Sequence, residues 1–130
     1  MRTKKKLNFN RALVIGPSGI GNAHIRQYAK NKIRKIAILG KNFKKKRFFQ
    51  LANSTLKKIE IINLKNFSEI KKIRPQIISI CSPTEFHLKH LLKLKNTRGV
   101  FIIEKPFFWL NGVSEKNLLR QTNFVLNSFK

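Results

Sequence analysis

Short runs of apolar, largely β-branched residues recur along this chain, separated by longer stretches in which apolar residues return at helical spacing. The runs cover residues 12–15, 36–39, 59–62, 77–80 and 100–103. Runs this continuously apolar suit strands buried on both faces, as in a parallel sheet. Between them, residues 22–31, 44–53, 67–73 and 85–96 have the length and composition of crossover helices. Right-handed βαβ units follow, and with them an α/β fold: a doubly wound parallel sheet in a three-layer αβα domain.

Local punctuation agrees with this periodicity. Ser82-Pro83-Thr84-Glu85 reads as a serine cap with a proline in the first turn and a glutamate three residues on, and Asn66-Phe67-Ser68-Glu69 repeats the box. Arg74-Pro75 ends the third helix, because proline disfavours the helical conformation of the residue before it. Gly99 separates the fourth helix from the fifth strand. Beyond Pro106 the pattern weakens: Ser114 caps a short helix through Arg120, and residues 123–128 read as a last strand or as an extension of that helix.

With 130 residues there is room for one domain, and a 42% hydrophobic content that includes 11 Phe is enough for a packed core. The expected organisation is a basic extension over residues 1–10 followed by a single domain over 11–130. A formal net charge of +24 predicts attraction to polyanions. The basic residues are dispersed along the sequence without a helix-turn-helix, RNP or zinc motif, so nucleic acid is expected to bind only non-specifically. The one cysteine, Cys81, cannot form an internal disulfide, and no Cys/His set has zinc-site spacing, so a reducing cytoplasm and no metal are expected. The apolar stretch after Arg11 is too short for a signal-peptide core or a membrane span.

Candidate chemistry begins at Gly16-Pro17-Ser18-Gly19-Ile20-Gly21, directly after the first strand and at the opening of the first helix. In a dinucleotide fingerprint at this position, successive glycines make the tight turn, admit the pyrophosphate and allow close helix packing. Here those places hold Gly16, Ser18 and Gly21, and neighbouring Gly19 keeps the loop pliant. The domain is therefore Rossmann-like, with a small-molecule dinucleotide as its expected partner. NAD-binding folds place a carboxylate about 20 residues past the loop, at the end of the second strand, to hold the ribose 2′-hydroxyl. This chain has Gly40-Lys41-Asn42 there, followed by Lys44, Lys45, Lys46 and Arg47. Lysine attracts a 2′-phosphate, so NADP is preferred over NAD within an NAD(P) assignment.

Glu104-Lys105-Pro106 closes the fifth strand at the edge where open α/β sheets bind ligands. Lys105 can hydrogen-bond a substrate hydroxyl or help move its proton, while Glu104 can hold a ribose or anchor the lysine. A surface Glu-Lys pair is the competing reading of this spacing.

Three separated motifs together resemble the N-terminal domain of the Gfo/Idh/MocA oxidoreductases, named after glucose-fructose oxidoreductase and inositol dehydrogenase. Gly16-x-Ser18-x-Ile20-Gly21-x-x-His24 is similar to that family's G-x-G-x-I-G-x-x-H, with the middle glycine changed. Ser82-Pro83-Thr84-Glu85-Phe86-His87 is similar to its T-P-x-x-x-H turn, and Glu104-Lys105-Pro106 to its E-K-P. The resemblance spans Arg11 to about Trp109. It implies that residues 16–21 cradle a pyrophosphate and that Ser82 and Pro83 line the nicotinamide side of a cleft. It also implies that His87 sits near the cofactor and Lys105 faces nicotinamide and substrate.

Family members carry a second α/β domain with most of the substrate pocket and a catalytic histidine or aspartate, and this chain stops before one. The expectation is thus the NAD(P)-binding part of an oxidoreductase of sugars or cyclitols, truncated and incomplete as an enzyme by itself. The alternative is a non-catalytic remnant that binds a nucleotide or a partner. Phe107, Phe108 and Trp109 are expected to be sticky, through self-association or a separate partner domain.

Overall fold

The computed structural model describes residues 8–41, 43–44, 59–107 and 111–129. All five predicted strands form: β1 (Arg11–Ile15), β2 (Lys35–Leu39), β3 (Glu60–Leu64), β4 (Ile77–Ile80) and β5 (Val100–Ile103). They pair in parallel in the order β3-β2-β1-β4-β5. Helix α1 (Ile20–Lys30) joins β1 to β2. A 3-10 turn at Phe67–Glu69 leads into the short α2 (Ile70–Ile73), another at Thr84–Phe86 leads into α3 (His87–Leu94), and α4 (Glu115–Asn127) follows β5.

Strand alternation sends neighbouring apolar residues to opposite faces, which is why mostly continuous apolar runs mark these strands. Ala12 and Val14 of β1 join Ile36 and Ile38 of β2 beneath Ile25, Tyr28 and Ala29 of α1. Leu13 and Ile15 face the other way, with Ile78 and Ile80 beneath Ile70, Leu91, Leu94 and Val125. Helices cover both faces of the sheet over its central strands, with Val100 and Ile102 of the edge strand β5 left exposed, and the Rossmann-like three-layer architecture expected from the apolar runs is the observed one.

The differences are local. β3 lies at a sheet edge and its burial alternates, Ile61 and Leu64 buried but Glu60 and Asn63 exposed, so a continuous apolar run misplaces its end. Ser82 does not cap the fourth helix: Pro83 is still extended (φ −53°, ψ 144°), the turn begins only at Thr84 with no side-chain cap, and the Ser82 hydroxyl pairs with His90. The second box forms with a shift, since Asn66 Oδ1 accepts from the Ser68 amide at 3.0 Å and Glu69 Oε2 from the Lys65 amide at 2.7 Å.

Arg74 takes the left-handed conformation (φ 49°, ψ 60°) as α2 ends against Pro75. No strand forms at 123–128, because Val125 is buried in the core with the helix continuous through Asn127. Ahead of Arg11, Phe9 packs on the core and the Asn10 amide donates to Gln76 Oε1 at 2.8 Å, so the fold reaches into the basic extension. Most of the helix expected at 44–53 lies outside the described residues, as do Phe108 and Trp109.

Candidate functional site

The strand order reverses between β1 and β4. Chains leaving these two strands turn to opposite faces of the sheet and leave a crevice at its carboxyl edge. A cleft of about 570 Å³ lies there. Gly16, Pro17 and Ser18 form one wall, Gly40 and Lys41 extend it from β2, and Ser82 and Pro83 close it from β4. Leu39 and Leu64 give it an apolar floor, and Lys65, Phe67, Phe86 and His90 complete the rim.

The glycine loop is held from several sides. The Gly16 amide donates to the Leu39 carbonyl at 3.0 Å, tying the loop to the end of β2. Gly16 has φ +83°, and a Cβ on it would lie 2.5 Å from the Ser82 nitrogen, so the two loops meet backbone to backbone. The first turn of α1 has neither a side-chain cap nor an acidic residue. The Gly21 and Asn22 amides close the turn on the Ser18 and Gly19 carbonyls at 3.0 and 3.1 Å, and the positive end of the helix dipole is suited to an anion. Ser18 is exposed on the cleft wall, at the place of the fingerprint's middle glycine. Gly19 and Ile20 are exposed at the helix start, outside the cleft lining, and Gly21 is buried under the loop.

At the second strand's end Lys41 is exposed on the rim, and no carboxylate lines the cleft among the described residues. Glu104 and Lys105 lie one strand further along and outside this lining. Lys105 is exposed, while the Glu104 amide donates to the Ile80 carbonyl at 3.0 Å. His87 is only 1% exposed, and its two ring nitrogens face the Ser82 carbonyl at 2.7 Å and the Phe107 carbonyl at 3.0 Å. It braces the loop after β4 against the segment after β5 and does not line the cleft. The structure thus brings Gly16, Ser18, Lys41, Ser82 and Pro83 to one cleft and leaves the other sequence candidates around it.

Two features escaped the sequence. His90 lies between Phe67 and Phe86, its ring centroid 5.3 and 6.0 Å from theirs, and its Nδ1 is 2.8 Å from Ser82 Oγ. Its three-residue spacing from His87 on one helix was the available signal. The second is a chain of polar groups behind the loop: Tyr28 hydroxyl to Ser79 Oγ, Ser79 Oγ to His24 Nδ1 at 2.8 Å, and His24 Nε2 to Glu104 Oε1 at 3.2 Å. Ser79, a lone hydroxyl inside an apolar run, marked the place. Burial raises the Tyr28 phenol above its ordinary range, and burial followed by the Glu104 charge pushes the Cys81 thiol up to about 12.

Burial, then the charges of His87, Lys93 and Lys89, push His90 down to about 4 from 6.5. Between these values the unfolded chain takes up a proton that the folded site refuses, so stability falls as pH falls from about 6.5 to about 4. Water screens this half-buried ring, so a contribution of about 1 kcal/mol is expected. Urea unfolding of His90→Gln against wild type should show a flatter pH dependence across that window. An unchanged slope would assign the effect to other groups.

This glycine loop, helix start and switch-point cleft define a dinucleotide-binding α/β domain. Over residues 10–120 the chain matches the model of GFO_IDH_MocA, described as an oxidoreductase family with an NAD-binding Rossmann fold, and it belongs to that family. Solved structures with the same fold include myo-inositol 2-dehydrogenase from Lactobacillus plantarum (21% identity, TM-score 0.66), of which the alignment covers 34%, against 94% of this chain. UDP-N-acetylglucosamine 3-dehydrogenase from Acidithiobacillus ferrooxidans is 18% identical with a TM-score of 0.61, at 91% coverage of this chain and 34% of that one. Scyllo-inositol dehydrogenase from Lactobacillus casei, solved with NAD(H) and scyllo-inositol, is 14% identical with a TM-score of 0.62, at 93% and 34% coverage. The chain therefore spans about a third of the length of these structures. A search of curated protein sequences finds no match.

Proposed function

We propose that this chain binds a nicotinamide dinucleotide in the switch-point cleft, with NADP favoured over NAD, as the cofactor-binding part of an oxidoreductase acting on sugars or cyclitols. The carrying observation is a glycine loop and uncapped helix start beside a cleft that has Lys41 on its rim and no lining carboxylate among the described residues. Ser18 would hold the pyrophosphate through its backbone amide, with Gly16, Gly19, Ile20 and Gly21 shaping the turn. Lys41 would pair with a 2′-phosphate. Ser82 and Pro83 would border the nicotinamide, with His87 fixing their loop from below. Bound there, the nicotinamide supplies hydride transfer. Lys105 would hydrogen-bond a substrate hydroxyl, and Glu104 would keep the end of β5 in place.

Calorimetric titration at physiological salt tests this reading. NADPH should bind more tightly than NADH by about tenfold, and Lys41→Ser should remove most of the difference. Equal affinities in the wild-type chain would discard the NADP assignment, and no binding of either would discard the cofactor role.

A second reading is a nucleotide-binding unit without turnover of its own. It is favoured by Lys105 lying exposed and outside the cleft lining. Dinucleotide affinity without oxidation of any polyol would select it. Val100, Ile102, Leu119, Phe124 and Leu126 are exposed apolar residues on β5 and α4, which supports coverage by a second copy or a further domain. The single cysteine supports a reducing, cytoplasmic setting. No described helix is long and apolar enough to cross a membrane.

A further inference from the structure

We propose that the amino edge of the sheet, opposite the dinucleotide cleft, is a groove that binds single-stranded nucleic acid through its phosphates. A cavity of about 900 Å³ lies here, and its lining includes Arg11, Lys71, Arg74 and Arg98. A cavity of about 520 Å³ shares Arg11, Lys71 and Arg74 with it and adds Lys35 and Lys72. On the other side a cavity of about 570 Å³ shares Arg98 and adds Lys95, Phe101 and Phe129. Shared walls make these three one continuous depression.

Charges that look dispersed in sequence are gathered by the topology, because the starts of parallel strands and the turns before them all meet at one edge. None of the residues lining the three cavities is acidic. The one ion pair at this edge among the described residues joins Lys35 to Glu60 at 3.0 Å. Cations at helix ends are ordinarily explained by the helix dipole, which accounts for Lys71, Lys72 and Arg74. It does not account for Arg11 and Lys35 on strands or for Arg98 beside Gly99. Arg11 is held in place, since its Nε donates to the Arg74 carbonyl at 2.9 Å.

The shape selects a strand of phosphates over a single anion. From β2 to β5 the groove crosses three inter-strand gaps of about 4.8 Å each, about 14 Å in all, a length that takes about four stacked nucleotides. Arginines match phosphate in a planar, bidentate fashion. Phe9 in the central cavity, and Phe101 and Phe129 at one end, add aromatic surface of the kind on which unpaired bases stack. An acidic peptide would use the cations but not this combination.

The test is fluorescence anisotropy of a labelled oligouridylate of about 12 nucleotides at physiological salt. The variant Lys71→Glu/Arg74→Glu/Arg98→Glu should weaken binding at least about tenfold and lower the salt slope by about three. The control Arg26→Glu/Lys89→Glu/Lys116→Glu carries the same charge change on helix surfaces away from the groove and should weaken it less than about twofold. Circular dichroism and thermal melts check that both are folded. If the groove triple unfolds, Lys71→Ala/Arg98→Ala reads the same site, with an expected loss of at least about threefold. Equal losses in groove and control variants would overturn the proposal in favour of general attraction to the net charge. Displacement of the oligonucleotide by polyglutamate as readily as by unlabelled oligouridylate would overturn it in favour of an acidic peptide partner.

Discussion

Gly21→Ala is expected to destabilise the fold by about 4 kcal/mol or more, at the upper end of single-substitution effects. The added Cβ would sit 1.9 Å from the Gly16 carbonyl oxygen and 2.9 Å from its carbon. Both are backbone atoms, so no side chain can swing away. Gly16 cannot retreat either, because it already presses on Ser82 and is tied to Leu39. Relief requires α1 to lift from the sheet, which would uncover Ile25, Tyr28 and Ala29.

Gly19→Ala, two positions away in the same turn region of the loop, provides the comparison. Nothing lies within 4 Å of its Cβ position, and only the backbone conformation (φ 52°, ψ −114°), which favours glycine, opposes a side chain. That strain costs about 2 kcal/mol. Thermal and urea unfolding should show a loss at least about twice as large for Gly21→Ala as for Gly19→Ala. Equal losses would show that the loop shifts freely and that close packing is not what Gly21 provides.

Ser79→Ala should cost about 2 kcal/mol, although it deletes a single oxygen. Ser79 is fully buried in β4, and its hydroxyl contacts both the Tyr28 hydroxyl and His24 Nδ1. One orientation satisfies every member: Tyr28 donates to Ser79, Ser79 donates to His24 Nδ1, and His24 Nε2–H donates to Glu104 Oε1. Without the serine, the buried phenol loses its acceptor and the part-buried imidazole its donor. The cost then comes from stranded partners more than from the bond itself.

A double-mutant cycle separates these contributions. Tyr28→Phe combined with Ser79→Ala should cost less than the sum of the single changes, by about 1 kcal/mol, since the phenylalanine leaves no phenol to strand. Strict additivity in urea unfolding would show that the two hydroxyls do not share a bond. Because the same chain of groups reaches Glu104, Ser79→Ala should also loosen the end of β5, visible as faster amide exchange at Glu104, whose amide is bonded to Ile80.

The strands were legible because the sheet is buried on both faces, which forces apolar residues at consecutive positions such as Leu13, Val14 and Ile15. The edge strand β3 was the one misjudged, since half of its residues meet solvent and the apolar run breaks at Asn63. Ser82 was misread as a cap because a cap is defined by where the helix begins, and the extended Pro83 moved that start by one residue. Its hydroxyl serves His90 instead, an arrangement that depends on how α3 lies over the loop.

Gly16, Ser18, Lys41, Ser82 and Pro83 could be nominated from sequence and do share one cleft, because each follows a strand whose carboxyl end must reach the same sheet edge. His87 could be found but not oriented: only the packed structure turns both of its nitrogens to backbone carbonyls. His90 meets Phe67 across separate elements, and spacing along the chain carries no trace of that.

By itself, then, the sequence determined the class of fold, the strand inventory, the glycine loop and the excess of positive charge. Each of these is a local or additive property: an apolar run, a conformational allowance, a sum of charges. Only the tertiary structure decided which side chains share a surface. It joined Tyr28, Ser79, His24 and Glu104 behind the site, and gathered Arg11, Lys71, Arg74 and Arg98 at the opposite edge. Such groupings depend on strand order and helix placement, set by burial of the whole core at once.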